Sequence, residues 1–140
     1  IYLKGKHVTG WTGCHEACER GFLNVVKLFM ENATNLSIDF NRRDKDGYTA
    51  FHLACRRGHS DVVKLFMENA VALSIELNSE NNDGLTAFHL ACQFGQVKGH
   101  SDVIEIFMEN ATDLKINLTT SIPEPHDTAE IINKLLLKYE

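Results

Sequence analysis

Histidine and cysteine recur along this 140-residue chain at one fixed spacing, and both residue types can do chemistry. The recurring residues, each 37 positions from its counterpart, are His15, His52, His89, Cys18, Cys55 and Cys92. Imidazole and thiolate groups bind zinc, and an oriented Cys–His pair can act as a nucleophile and base. The densest cluster is Cys14, His15 and Cys18, because Cys14 and Cys18 are four residues apart on a predicted helix. These residue types are therefore compatible with two kinds of chemistry, metal binding and cysteine catalysis.

Neither kind of chemistry is supported by the rest of the sequence. Cys14 and His15 are adjacent, and adjacent helical residues point in different directions. A catalytic cysteine also needs an oriented histidine and an oxyanion site, which no motif here supplies. The chain contains no phosphate-binding glycine loop, dinucleotide fingerprint, H-E-x-x-H or G-x-S-x-G motif. We therefore predict a protein that is not an enzyme and that has no metal site and no cofactor.

The histidines and cysteines lie inside longer repeated segments. Residues 47–58 read GYTAFHLACRRG, residues 84–95 read GLTAFHLACQFG, and residues 10–21 read the looser GWTGCHEACERG. A fixed period of about 20 to 50 residues indicates a stacked array of units. Because a stack exposes a long surface, we look for function on that surface.

Composition narrows the class of protein. The hydrophobic fraction of 44% is enough for a packed core, and no apolar run approaches the ~20 residues that cross a bilayer. The net charge of −5 argues against general affinity for nucleic acid or anionic membranes. Ile1 and Leu3 stand 37 residues before Ile38 and Phe40, so we expect a piece of a longer array.

The four cysteines indicate a reducing location. Equivalent cysteines on stacked helices would lie about 8–10 Å apart, whereas a disulfide needs Cα atoms closer than about 7 Å. We therefore expect free, buried thiols and a cytoplasmic or nuclear protein.

Residues 41–78 show how one unit is built. Residues 41–47 form a polar turn that ends in glycine, and Thr49 can cap a short helix that Gly58 ends. A second helix begins near Ser60 and carries a broad apolar face. Neither helix can bury its apolar side alone, so stability should come from contacts between neighbouring units.

The order of turn, short helix, glycine and longer helix resembles the ankyrin repeat. The tetrapeptides at residues 49–52 and 86–89 read TAFH and resemble the family signature T-P-L-H, and residues 12–15 (TGCH) are a weaker match. The resemblance implies an all-α solenoid of stacked helix-turn-helix units with hairpin-like turns. It also implies that the Thr and His of each motif form local hydrogen bonds that link the units. These structural residues are Thr12, His15, Thr49, His52, Thr86 and His89.

We read the chain as a single domain of three repeats and a cap. The repeats span about residues 5–41, 42–78 and 79–119, and the third has an insertion near residues 96–99. The period of 37 exceeds the family period of about 33, so the second helix should run on or a longer connection should follow. A capping helix is predicted at about residues 126–139.

Because the resemblance places binding on turn tips and first-helix faces, we predict a protein-protein interaction module. The predicted contact residues are Trp11, Arg20, Arg43, Lys45, Tyr48, Arg56, Arg57, Leu85, Gln93 and Phe94. Lys and Arg cluster on units one and two, which favours a partner with an acidic segment. We expect no nucleic-acid or membrane partner and a monomeric chain.

Two other functions stay open. The chain could regulate a catalytic domain in the same polypeptide. It could also be a substrate of an asparaginyl hydroxylase, since the stretches ending at Asn41 and Asn78 resemble ankyrin segments that are modified in this way. The simpler interpretation is that both asparagines hold the turn.

Overall fold

The computed structural model describes residues 10–95, residues 97–118 and Leu137. Six α-helices occur in this part of the chain, and it contains no β-strand. They are α1 (Gly13–Arg20), α2 (Leu23–Glu31), α3 (Ala50–Arg57), α4 (Ser60–Asn69), α5 (Ala87–Cys92) and α6 (Lys98–Asn110). The predicted all-α class is confirmed.

Each first helix begins at a threonine. The side chains of Thr12, Thr49 and Thr86 accept hydrogen bonds from the backbone N–H groups of His15, His52 and His89, respectively. In return, each histidine side chain bonds the backbone N–H of its threonine, which completes a capping box with histidine in the place usually held by glutamate. Two residues, a threonine and the histidine three positions later, therefore set the start of each helix.

The first two of these helices end at glycines. Gly21 and Gly58 have φ angles of 71° and 73°, in the left-handed region that favours glycine. Their neighbours Phe22 and His59 donate backbone N–H bonds to Ala17 and Ala54, respectively. The chain turns there and enters the second helix two residues later.

Each second helix ends without glycine. The helices stop at Glu31, Asn69 and Asn110, and a turn follows in each case. A residue with positive φ reverses the chain five or six residues after each helix end. These residues are Ser37, Ser74 and Lys115, with φ of 51°, 52° and 55°. The extra length of each unit is therefore a connection rather than a longer helix.

The helices form two rows. First helices pack on first helices (α1 on α3, and α3 on α5), and second helices pack on second helices (α2 on α4, and α4 on α6). Buried phenylalanines fill the space between the rows. The Phe51 ring lies 5.5 Å from Phe66 and 5.8 Å from Phe107, and Phe107 lies 5.2 Å from Phe88. The Phe51–Phe107 contact joins the second and third units, whereas the other two contacts join the helices within one unit, so the core is continuous across this junction.

The insertion changes the third unit. Only Gly58 and His59 separate α3 from α4, whereas residues 93–97 separate α5 from α6. Helix α6 begins at Lys98, three residues before Ser101, which is the counterpart of Ser60. The insertion thus contributes both to the connection and to the first turn of α6.

The predicted capping helix at residues 126–139 lies outside the described residues, with the exception of Leu137. That residue is helical, and its side chain is exposed.

Candidate functional site

Two of the recurring histidines, His15 and His52, are joined to the backbone on both sides of the ring. The Thr49 N–H lies 3.0 Å from His52 Nδ1, and His52 Nε2 lies 3.3 Å from the carbonyl oxygen of Leu85. His15 repeats this pattern, with Thr12 N–H at 3.1 Å and the Tyr48 carbonyl oxygen at 3.0 Å. Each ring therefore caps its own helix and binds the turn of the next unit.

These bonds define the protonation state of the rings. Because a backbone N–H donates to Nδ1, the proton of the neutral ring is on Nε2, which donates to the carbonyl. Burial lowers the pKa of His52 to about 4, against a smaller opposing effect of the bond to Leu85. Burial lowers the pKa of His15 as well. The lone pair that a metal or a substrate proton would need is occupied by the helix cap.

The cysteines are free and buried. Burial raises the pKa of the Cys18 and Cys55 thiols well above the ordinary value, and a hydrogen bond with Cys14 adds to the effect at Cys18. Burial raises the pKa of Cys92 to about 12. These thiols stay protonated at neutral pH, and the thiolate is the reactive form. Among the described residues, no three potential ligands converge in a way that could hold a metal ion.

The turns between units are tight hairpins. The Asp44 N–H donates to the Tyr48 carbonyl at 3.0 Å, and Asp44 Oδ1 accepts from the N–H groups of Asp46 and Tyr48, both at 2.9 Å. In the next turn Asn81 makes the same three contacts with Asp83 and Leu85.

Neighbouring turn tips are also joined to each other. Asn82 donates its backbone N–H to the Asp46 carbonyl at 3.0 Å and its side-chain amide to the Lys45 carbonyl at 2.9 Å. The tips of the second and third units therefore form one continuous edge.

Aromatic side chains pack beside this edge. The Trp11 ring stacks on His15 at 5.4 Å, and its Nε1 donates to Glu16 at 2.8 Å. The Tyr48 ring meets His52 edge-on at 5.9 Å, and the guanidinium of Arg56 lies over the Tyr48 ring at 4.8 Å. Both aromatic rings are half-buried, so each has an exposed part beside the first helices.

The basic residues on the first helices are arranged around one carboxylate. Arg56 Nη2 lies 3.1 Å from Glu19 Oε2, and Arg57 Nε donates to Glu19 Oε1. Glu19 belongs to the preceding unit, so these ion pairs cross the junction between units one and two. Arg20 forms an exposed pair with Glu16 in its own helix. Part of the predicted basic stripe is therefore neutralised within the chain.

A family model of ankyrin repeats, with three copies, matches residues 14–120. The chain belongs to the ankyrin-repeat family. The stacked helix pairs, the capping threonines and the hairpin turns are this family's helix-turn-helix solenoid. No curated protein sequence matches the chain significantly.

The ankyrin repeats leave most of the predicted contact residues accessible. Arg20, Arg43, Lys45, Arg57 and Phe94 are exposed. Trp11, Tyr48, Arg56 and Gln93 are half-buried. No helix in the described ranges is both long and apolar enough to cross a bilayer.

Leu85 departs from the prediction. It has the same register as Trp11 and Tyr48, but it is only 8% exposed. Leu85 lies in the hairpin that Asn81 closes, and its carbonyl accepts the His52 bond. Being both smaller and enclosed, its side chain cannot offer a partner the surface that we predicted, and we remove it from the candidate site.

Asn41 and Asn78 connect successive repeats. Asn41 Nδ2 donates to the Ser74 carbonyl at 2.9 Å, and its Oδ1 accepts from the Glu76 N–H at 2.8 Å. Asn78 binds the Lys115 carbonyl at 3.0 Å and the Asn117 N–H at 2.7 Å. Each amide thus holds the positive-φ connection of the next repeat, which supports a structural role for both residues.

Two histidines that the sequence did not single out also link repeats. His59 Nε2 bonds the Glu19 carbonyl at 2.9 Å, and His100 Nε2 bonds the Arg56 carbonyl at 2.6 Å. Both rings lie against a glycine of the preceding repeat, Gly21 or Gly58. The signal was present in the sequence as a histidine shortly before Ser-Asp in repeats two and three.

Proposed function

We propose that this chain is a protein-binding module of the adaptor or scaffold kind. It meets its partner along a ridge surface, which we define as the accessible side chains of the turn tips and first helices. These are Trp11, Arg20, Arg43, Lys45, Tyr48, Arg56, Arg57, Gln93 and Phe94.

The observation that carries this proposal is the contrast between buried and exposed positions of the first helices. Equivalent buried positions of α3 and α5 hold the same residue type: phenylalanine at Phe51 and Phe88, and cysteine at Cys55 and Cys92. By contrast, the outward positions of successive helices differ completely at one register, with Glu19, Arg56 and Gln93. Packing explains the first set. In the second set Glu19 pairs with Arg56 inside the chain, whereas Arg56 and Gln93 keep accessible surface that can be specific for a partner.

Residue types on the ridge surface support binding. Arg, Trp and Tyr are the residues that most often dominate the energy of protein interfaces. Arg43 and Lys45 project from the turn tip and are exposed. The partner is therefore a protein or peptide with an acidic segment at its contact with units one and two. We propose that the module works as a monomer. We also propose that it resides in the cytoplasm or nucleus, and the free, buried cysteines support this location.

The experiment that tests the proposal is affinity capture from lysate of the source cells. Wild-type protein is compared with the ridge variant R43E/K45E and with the charge-matched control K27E/K64E, whose lysines are exposed on the second helices. The captured protein is then purified and titrated at two salt concentrations. We expect the ridge variant to bind at least about tenfold more weakly at low salt, since charged contacts across an interface depend on salt. Equal affinity of wild type and R43E/K45E would rule the ridge surface out.

A further inference from the structure

A cavity of about 420 Å³ opens beside the ridge surface at the junction of the second and third repeats. Of the residues that the structure describes, Arg56, Arg57, Phe94 and His100 line it. The lining combines two cationic side chains with an aromatic ring, so the cavity offers both charge and apolar surface.

The aromatic wall is formed by Phe94, which has the register of Arg57 in the third repeat. Helix α5 ends at Cys92, and Phe94 lies in the turn that follows, with its side chain 47% exposed. Its ring packs against His100 at 5.2 Å, and His100 is fixed by its bond to the Arg56 carbonyl. Gly99 lies so close to the Gly58 carbonyl that a Cβ would come within 2.6 Å of that oxygen. Gly99 is thereby packed tightly against the second repeat.

The cationic wall is positioned by groups of the chain itself. Glu19 holds Arg57 through Nε and Arg56 through Nη2, and the Tyr48 ring lies under the Arg56 guanidinium. Within the part of the chain that the structure describes, no acceptor binds Nη1 or Nη2 of Arg57, whose side chain is 57% exposed. Two fixed N–H donors with parallel directions suit a carboxylate.

Charge is unbalanced at this place. Two arginines face one carboxylate, Glu19, which comes from the first repeat. On the third repeat the register of Glu19 is occupied by Gln93, which is neutral. Among the described residues, an acid therefore binds the arginine pair from one side only, and a ligand can supply the second.

We propose that this cavity is the anchoring subsite for an acidic residue of the partner peptide that stands next to an aromatic residue. The carboxylate binds the terminal nitrogens of Arg57, and the neighbouring ring packs on Phe94. This inference rests on the proposed protein-binding function and names the chemistry of the segment that is recognised. Because Glu19 and Tyr48 already hold the guanidinium groups, little side-chain freedom is lost on binding.

The test is an NMR titration of the ¹⁵N-labelled protein at low salt with acetyl-Glu-Phe-amide. The neutral probe acetyl-Gln-Phe-amide is the control ligand. We expect saturable shifts of the amide signals of Phe94 and Gly95 and of the Arg57 Nε–H signal with the acidic probe. The neutral probe should bind at least about fivefold more weakly, as expected for the loss of a charge-assisted hydrogen bond.

Two variants and one control locate the site. R57Q and F94S should each weaken binding of the acidic probe by about fivefold or more. K27Q should leave binding unchanged, because Lys27 is exposed on α2, outside the ridge surface and away from the cavity. All three changes are at exposed positions, and the dispersion of the NMR spectrum reports that each variant is folded.

The outcomes separate this inference from the proposed function. Absence of saturable shifts, or equal binding by R57Q, overturns the subsite even when R43E/K45E still loses the cellular partner. Normal capture of that partner by R43E/K45E would overturn the proposed ridge contact even when the dipeptide titrates as expected.

Discussion

His52 joins two repeats: its Nδ1 accepts the Thr49 N–H of its own helix, and its Nε2 donates to the Leu85 carbonyl 33 residues later. The ring can make both bonds only when it is neutral, because protonation would place a second N–H against the Thr49 N–H. The same side chain therefore connects helix capping, the junction between repeats and the response of stability to pH.

Stability should fall as the pH drops below neutrality. In the unfolded chain His52 has its ordinary pKa of 6.5, whereas in the fold its pKa is about 4. Between these values the unfolded state binds a proton that the folded state does not, so the free energy of unfolding decreases by up to about 1.4 kcal/mol per pH unit. The loss from His52 should total about 3 kcal/mol and level off below pH 4. His15, whose pKa is also lowered, adds in the same direction.

Urea unfolding followed by circular dichroism at several pH values measures this effect. His52→Gln is the control, because it removes the titrating group. Its free energy of unfolding should be lower than that of wild type at pH 7 but should fall less steeply on acidification. The reason is that unfolding of the variant takes up about one proton fewer than unfolding of wild type. Parallel curves for the two proteins would show that His52 does not cause the dependence.

Removal of the capping hydroxyl should destabilise the second repeat. Thr49 Oγ1 accepts the His52 N–H at 3.2 Å, and Thr49 is buried. Thr49→Val keeps the shape but leaves that N–H without its acceptor, and we expect a loss of about 1–2 kcal/mol in the free energy of unfolding. Thr49→Ser retains the hydroxyl and should cost clearly less. Urea unfolding measures both variants, and equal losses would argue against the hydroxyl as the cause.

The asparagine that holds the connection of the next repeat should not tolerate a carboxylate. Asn41→Asp replaces the donor to the Ser74 carbonyl by a charged oxygen that faces that carbonyl. We expect a loss of about 1–3 kcal/mol at pH 7, partly recovered at pH 3 where the carboxyl is protonated. Asn35→Asp, at an exposed position of the equivalent connection, is the matched control and should change stability by less than about 0.5 kcal/mol. Thermal melts of wild type, Asn41→Asp and Asn35→Asp measure the difference. Equal melting temperatures for the two variants would contradict the structural role of Asn41.

Gly58 should be irreplaceable for two separate reasons. Its φ is +73°, and a Cβ would lie 2.8 Å from His100 Nδ1. Gly58→Ala should therefore cost about 2 kcal/mol or more, from backbone strain and from the displaced imidazole. A double-mutant cycle with His100→Ala separates the causes. In the His100→Ala background the cost of Gly58→Ala should be smaller by at least about 0.5 kcal/mol, and an unchanged cost would assign the whole effect to the backbone.

The parts of the fold that depend on short-range contacts were predictable. The distance from Thr49 to His52 and then to Gly58 defines a helix, since the cap, the capping box and the helix end each involve residues within a few positions of one another. The fixed period then implied that the same unit recurs and stacks. The family assignment follows from this combination of motif and period.

The parts that depend on how neighbouring repeats face each other were not predictable in the same way. The sequence shows that Glu19, Arg56 and Gln93 share a register, but it does not show that Glu19 binds two arginines at once. It also could not show that Asn41 reaches the connection after α4. Such contacts depend on side-chain conformations that the neighbouring repeat selects.

By itself, the sequence determined that this protein is a stack of ankyrin repeats with capped helices, small buried cysteines and histidines that belong to the scaffold. Local hydrogen bonding and hydrophobic periodicity are properties of short segments, and these were sufficient. Only the tertiary structure decided that Leu85 is buried while Phe94 is exposed, and that an arginine pair held by Glu19 borders a cavity. Exposure and ion pairing depend on the surface that the adjacent repeat covers, and that surface exists only once the repeats are stacked.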